Sequence, residues 1–136
     1  MPMAYPLTAL ATILCLFIYF WTMTRVGKAR AQHQVAAPAV TGPPEFERVF
    51  RVQQNTMEQL LLFLPALWLF AVAVGDLWAA LLGVVWVVGH IVYAHGYYRA
   101  AEKRGIGFLI TFLASTVAIL GTVLAMGYGW WTTVTL

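Results

Sequence analysis

The stretch LWAALLGVVWVVGHIVYAHGYY, from Leu77 to Tyr98, runs for 22 residues without a charge. A helix needs about 20 mostly apolar residues to cross the hydrocarbon of a bilayer, so this segment is long enough for one crossing. Three further charge-free runs surround it: 24 residues from Met1 to Thr24, 17 from Gln59 to Gly75, and 32 from Gly105 to Leu136. The 17-residue run reaches full length if polar residues near Arg51 already lie in the interface. The reading is an all-α integral membrane protein, a single four-helix membrane domain over residues 1–136 with helices near 3–28, 46–74, 77–104 and 106–131. A β-barrel would alternate apolar and polar residues in segments of about ten, which runs such as Leu60-Leu-Leu-Phe-Leu do not.

Composition agrees. The chain is 62% apolar and 10% charged, where a soluble domain averages about 45–50% and about 25%. Thirteen charges cannot cover the surface of a soluble domain this apolar. Cys15 is the single cysteine, which excludes a disulfide scaffold, and mid-helix in apolar surroundings its thiol should be inert. His33, His90 and His95 are too scattered to read as ligands, so no metal is expected. Ala29-Arg30-Ala31 imitates a signal-peptide cleavage site. The apolar run before it lacks a basic leader and exceeds the usual span of about 7–15 residues, so it reads as a retained first helix.

Orientation follows from the cations. Arg25, Lys28, Arg30, Arg48 and Arg51 surround the first connection, and Arg99, Lys103 and Arg104 the third. All eight lie on one side, which the positive-inside rule assigns to the cytoplasm, with both termini outside. The net charge of +3 is therefore a topology signal and no argument for nucleic acid. Tyr5, Trp78, Tyr128, Trp130 and Trp131 mark the outer interface; Tyr19 and Trp21 approach the inner one.

Polar residues converge on that basic side. In the run Glu45-Phe-Glu-Arg-Val-Phe-Arg-Val-Gln-Gln-Asn-Thr-Met-Glu-Gln, residues Arg48, Arg51, Asn55 and Glu58 are spaced by three, four and three and share a helical stripe. Ionisable groups entering a membrane face the bundle interior or a wet cavity. Two readings are open: an Arg51–Glu58 ion pair with snorkelling basic anchors, or a ligand pocket. Tyr93, Tyr97, Ala100 and Arg104 form a second stripe if the third helix runs to Gly105. Together the stripes ask for a polyanion with a cationic end. Guanidinium forks take carboxylates, and Glu58 takes an ammonium. Arg104 cannot act as a base, but it can stabilise an anion beside it. Holding a thiol as thiolate two units below its usual value of about 8.5 takes roughly 3 kcal/mol, within reach of one partly desolvated guanidinium.

At these residues the sequence resembles the MAPEG family, the membrane-associated proteins of eicosanoid and glutathione metabolism. The likeness is carried by Phe46-Glu-Arg-Val-Phe-Arg-Val-Gln-Gln-Asn-Thr-Met-Glu, by Tyr93-Ala-His-Gly-Tyr97 and by Arg104, within the four-helix layout. It looks nearest the branch of leukotriene C synthase and the microsomal glutathione transferases. The resemblance implies a homotrimer with glutathione bound between subunits on the cytoplasmic side. A lipophilic electrophile would arrive from the bilayer lipid. It implies that Arg51, Asn55, Glu58 and Tyr93 hold the γ-glutamyl end, Arg30 and Gln53 the glycyl carboxylate, that Tyr97 lines the pocket, and that Arg104 stabilises the thiolate. The sequence departs from the leukotriene synthases at Ala31, where they carry a second arginine, and at Gln59, where they carry tyrosine.

The implied activity is a glutathione transferase with glutathione-dependent peroxidase activity beside it, needing no metal. The alternatives are a non-catalytic lipid-binding scaffold of the same family and a small four-helix multidrug exporter coupled through Glu58. A bacterial inner membrane suits so compact a chain.

Overall fold

Four helices dominate the computed structural model, which describes residues 4–135. They are α1 (Pro6–His33), α2 (Pro44–Val74), α3 (Asp76–Arg99) and α4 (Gly105–Thr135), with a short 3₁₀ turn at Ala101–Arg104 before α4. All four are long and apolar enough to cross a membrane. The expected start of the first helix at Met3 and the two chain ends lie outside the described residues.

Local chemistry sets the helix limits. Pro6 and Pro44 open α1 and α2, where a missing N–H costs nothing and the fixed φ is already helical. α1 continues to His33, five residues past the expected 28, because nothing breaks it earlier. Arg30 and His33 in its last turn suit the negative end of the helix dipole. It stops at Gln34, which turns left-handed at φ 55°. A single residue, Gly75 at φ 131°, joins α2 to α3. Asp76 follows it and caps a different helix: its carboxylate accepts from the backbone N–H groups of Leu7 (3.0 Å) and Thr8 (2.7 Å) and from the Thr8 hydroxyl (2.7 Å). Orphan donors of the first turn of α1 are thereby satisfied from the start of α3.

The expectation that the third helix runs to 104 is corrected. α3 ends at Arg99, and Ala100 is extended (φ −165°, ψ 141°). The chain then folds back so tightly that a Cβ on Gly96 would collide with the Lys103 carbonyl. Arg104 therefore sits at the end of a tight turn and not on the face of α3.

The interior is built from Phe63, Leu67, Ala79, Trp86, Ala114 and Ala118, with Cys15 among them. Small residues let the helices approach, as expected where lipid supplies no hydrophobic drive between them. Gly83 lies against Ala11, and Gly107 lies so close to the backbone of Tyr93 and Gly89 that no side chain fits. Leu10, Phe17, Phe20, Leu61, Leu69 and Leu124 are more than half exposed, which suits a surface that meets acyl chains.

Candidate functional site

Asn55, Glu58, Gln59, Tyr93, Arg104, Gly105 and Phe108 line a cleft of about 300 Å³ at the basic end of the bundle. α2 supplies Asn55, Glu58 and Gln59, α3 supplies Tyr93, and the 3₁₀ turn and first turn of α4 supply the rest. The close approach at Gly107 seats α4 directly on Tyr93, and this carries Arg104 to the cleft although it is not on α3.

Hydrogen bonding assigns directions within the cleft. Asn55 Nδ2 donates to the Tyr93 hydroxyl at 2.5 Å. That oxygen is thus used as an acceptor, and its own proton remains to be donated. The Arg104 guanidinium lies 5.2 Å over the ring of Tyr97, with Nη1 at 3.4 Å from its hydroxyl. Gln59 Oε1 is buried without a hydrogen bond. The cleft offers donors from Arg104 and Tyr93 and acceptors from Glu58 and Gln59, a lining matched to a zwitterion. Buried polar atoms without partners are rare enough to ask for one.

Behind the cleft stands a column of rings. Phe63, Trp86, His90, Tyr93 and Tyr97 follow one another at centroid distances of 5.2, 4.7, 5.1 and 5.8 Å. Thr56 Oγ1 donates to the Val52 carbonyl at 2.6 Å and so accepts from His90 Nε2 at 2.8 Å, which fixes the imidazole tautomer. His90 is fully buried and braces Tyr93. Its sequence neighbours are apolar, which gives no hint that Thr56 stands beside it. Gln59, Gly105 and Phe108 also line the cleft, and no charge or helical spacing marks them as lining residues in the sequence.

The other candidate residues lie elsewhere on the chain. Arg51 is exposed and donates to Gln54 Oε1 at 3.2 Å. The Arg51–Glu58 ion pair is absent: among the described residues the ion pair is Arg48–Glu45, at 3.3 Å. Arg30 packs over the rings of Phe46 and Phe50 and donates to the Ala39 carbonyl at 2.8 Å. Gln53 Nε2 donates to the Tyr19 hydroxyl at 2.9 Å. Neither Arg30 nor Gln53 lines the cleft that holds Arg104. A second, more apolar cavity of about 240 Å³ continues from Glu58 and Gln59 between α2 and α4, past Leu62, Phe108, Phe112 and Ser115. Among the described residues no group of His, Cys, Asp and Glu could hold a metal ion.

Comparison with known proteins matches residues 8–124 to the sequence model of the MAPEG family. An uncharacterised protein of Synechocystis sp. is 50% identical over 118 residues, 87% of this chain and 86% of that one. Microsomal glutathione S-transferase 2 of Mus musculus is 44% identical over 101 residues, covering 71% of this chain and 69% of the relative. Leukotriene C4 synthase of Cavia porcellus is 41% identical over 98 residues, covering 72% and 65%.

Proposed function

The chain belongs to the MAPEG family, and on that premise we propose that it is a membrane-bound transferase that joins the thiolate of glutathione to lipophilic electrophiles, with glutathione-dependent peroxidase activity as a second capacity. The observation that carries the proposal is the cleft in which Asn55, Glu58, Tyr93 and Arg104 meet. Glutathione has an ammonium and a carboxylate at its γ-glutamyl end, amides along its length, a second carboxylate and a thiol. Glu58 and Gln59 would accept from the ammonium and an amide, and the Tyr93 proton would be donated to the ligand; Arg51, outside the lining and bonded to Gln54, would have to turn from that partner to take a carboxylate. Arg104 would stand beside the sulfur, with Tyr97 holding its guanidinium from below.

In the reaction, the thiol proton leaves to water and the thiolate sulfur bonds to an electrophilic carbon; a leaving group then departs with its electron pair, or a ring or double bond opens and the resulting anion takes a proton from water. A guanidinium next to sulfur favours the anion and therefore raises the fraction of reactive thiolate at neutral pH. The apolar cavity beyond Gln59 supports entry of the second substrate from the bilayer side.

Arg30 and Gln53 point the same proposal toward assembly. They are the residues implied for the glycyl carboxylate, yet they are absent from the lining around Arg104. A second copy of the chain, related by rotation in a homotrimer, would bring its Arg30 and Gln53 to this cleft. The basic rim would face the cytoplasm, where glutathione is abundant. Labelling of Ala39→Cys in intact cells by an impermeant reagent, to the level reached in lysed cells, would contradict that orientation.

Glu58 as a proton-coupling carboxylate of an exporter has less support, since it shares its cleft with an amide, a phenol and a guanidinium. The test is turnover: purified protein in detergent should conjugate glutathione to chlorodinitrobenzene. A folded protein that binds glutathione but forms no conjugate with this or other electrophiles would instead support the scaffold.

A further inference from the structure

We propose that the cleft formed by the end of α1, the start of α2 and the end of α3 binds the phosphate of an anionic phospholipid headgroup. The cleft has a volume of about 270 Å³ and is lined by Arg25, Lys28, Gln32, His33, Glu45 and Tyr98. It is separate from the glutathione cleft, with which it shares no lining residue. Arg25, Lys28 and Gln32 are spaced by three and four and share one face of α1, and Arg30 falls on the opposite face.

Four observations favour a phosphate. Among the described residues neither Arg25 nor Lys28 forms an ion pair, whereas the one carboxylate of the lining, Glu45, is bound to Arg48 at 3.3 Å. The cleft thus carries net positive charge. Its inner wall is Tyr98, whose hydroxyl oxygen is buried beside the Arg25 guanidinium without a well-aligned hydrogen bond. The wall is fixed in place: the Arg25 guanidinium lies 5.2 Å over the Tyr98 ring, the Trp21 ring meets its edge at 6.0 Å, and Arg48 Nε lies 3.4 Å from its carbonyl oxygen. A phosphate in the cleft would accept from the phenol, the guanidinium, the ammonium and the Gln32 amide together.

Position favours a lipid as the source. Arg25 follows directly on the charge-free run that ends at Thr24, so the cleft lies at the depth of headgroups. On the same face of α1, Trp21, Ile18 and Leu14 follow Arg25 at spacings of four, three and four, and Leu14 is 40% exposed. Acyl chains would run along this face while the phosphate sits above it. Basic pockets between membrane helices are a recurring way of holding anionic lipid.

The test uses native mass spectrometry of the full-length protein in detergent, titrated with phosphatidylglycerol or phosphatidylcholine. The wild type should retain phosphatidylglycerol selectively. The double variant Arg25→Ala/Lys28→Ala should lose roughly thirty-fold in apparent affinity, at about fivefold for each cation. Tyr98→Phe, which removes one oxygen and keeps the ring, should lose roughly fivefold and keeps the test intact if the double variant does not fold. Arg99→Ala, on the same rim but outside the cleft, should stay within about twofold, since general attraction to a charged surface adds little at one site in detergent. Equal retention of the two lipids, unchanged affinity in Tyr98→Phe, or an equal loss in Arg99→Ala would overturn the proposal. Inorganic phosphate at the lipid's concentration should displace nothing; displacement would assign the cleft to a soluble phosphate and overturn the lipid assignment. None of these readouts depends on transferase activity.

Discussion

Glu58 carries the plainest burden among the individual residues. It contributes a carboxylate to the cleft and makes no ion pair among the described residues, so a ligand cation is its natural partner. Glu58→Ala should raise the KM for glutathione about tenfold or more, with a smaller change in kcat, because the proposed contact exists before chemistry. A direct titration showing unchanged glutathione affinity would remove Glu58 from the site. The sequence made Arg51, Asn55 and Glu58 visible through their spacing, since polar groups at three and four residue intervals are costly on a membrane helix. It could not decide between an ion pair and a pocket. In the structure Arg51 donates to Gln54 and forms no ion pair with Glu58. His90 was legible only as an isolated polar residue, because its role depends on Thr56 from another helix.

The connection between α3 and α4 is the element on which the site depends. Arg104 reaches the cleft through a 3₁₀ turn and a glycine contact, neither of which periodicity can express. Helical spacing put Arg104 in line with Tyr93 and Tyr97 for a reason that does not hold, since α3 ends at Arg99. The residues nevertheless meet, because Gly107 allows α4 to fold back against Tyr93. Gly107→Ala would drive a methyl group into the backbone of Tyr93 and Gly89, which cannot yield as a side chain can. It should destabilise the protein by about 1–3 kcal/mol and lower kcat/KM by displacing Arg104. Gly127→Ala meets nothing within 4 Å and is the matched control. Thermal melting and turnover check both; a Gly107→Ala protein with wild-type Tm and activity would show that the close approach does not position the turn.

For the whole molecule, four crossings were readable from charge-free runs because a bilayer demands a fixed length of apolar helix. Assembly was not readable, since the chemistry of a lipid-facing and a subunit-facing apolar surface is the same. Within one chain Arg30 and Gln53 lie apart from the cleft that holds Arg104, each bonded to other partners. If each site takes Arg30 from one chain and Arg104 from its neighbour, Arg30→Ala and Arg104→Ala chains should each be impaired alone. Co-expressed and randomly mixed, they should regain roughly a quarter of the sites, because closed rotational symmetry pairs unlike neighbours. Mixed assemblies no more active than the separate variants would place both arginines in one chain's site.

The central claim is that Arg104 holds glutathione as a thiolate, and the pH titration of the bound complex measures it most directly. The thiolate absorbs in the ultraviolet, so its appearance can be followed without turnover. The wild type should show a bound thiol about two units below the free value of about 8.5, keeping thiolate populated into mildly acidic solution. In Arg104→Ala the midpoint should return toward the free value while glutathione still binds, and Arg104→Lys should recover only part of the shift, having charge without the planar fork. A folded Arg104→Ala protein that binds glutathione with the same thiol midpoint as the wild type would contradict the account.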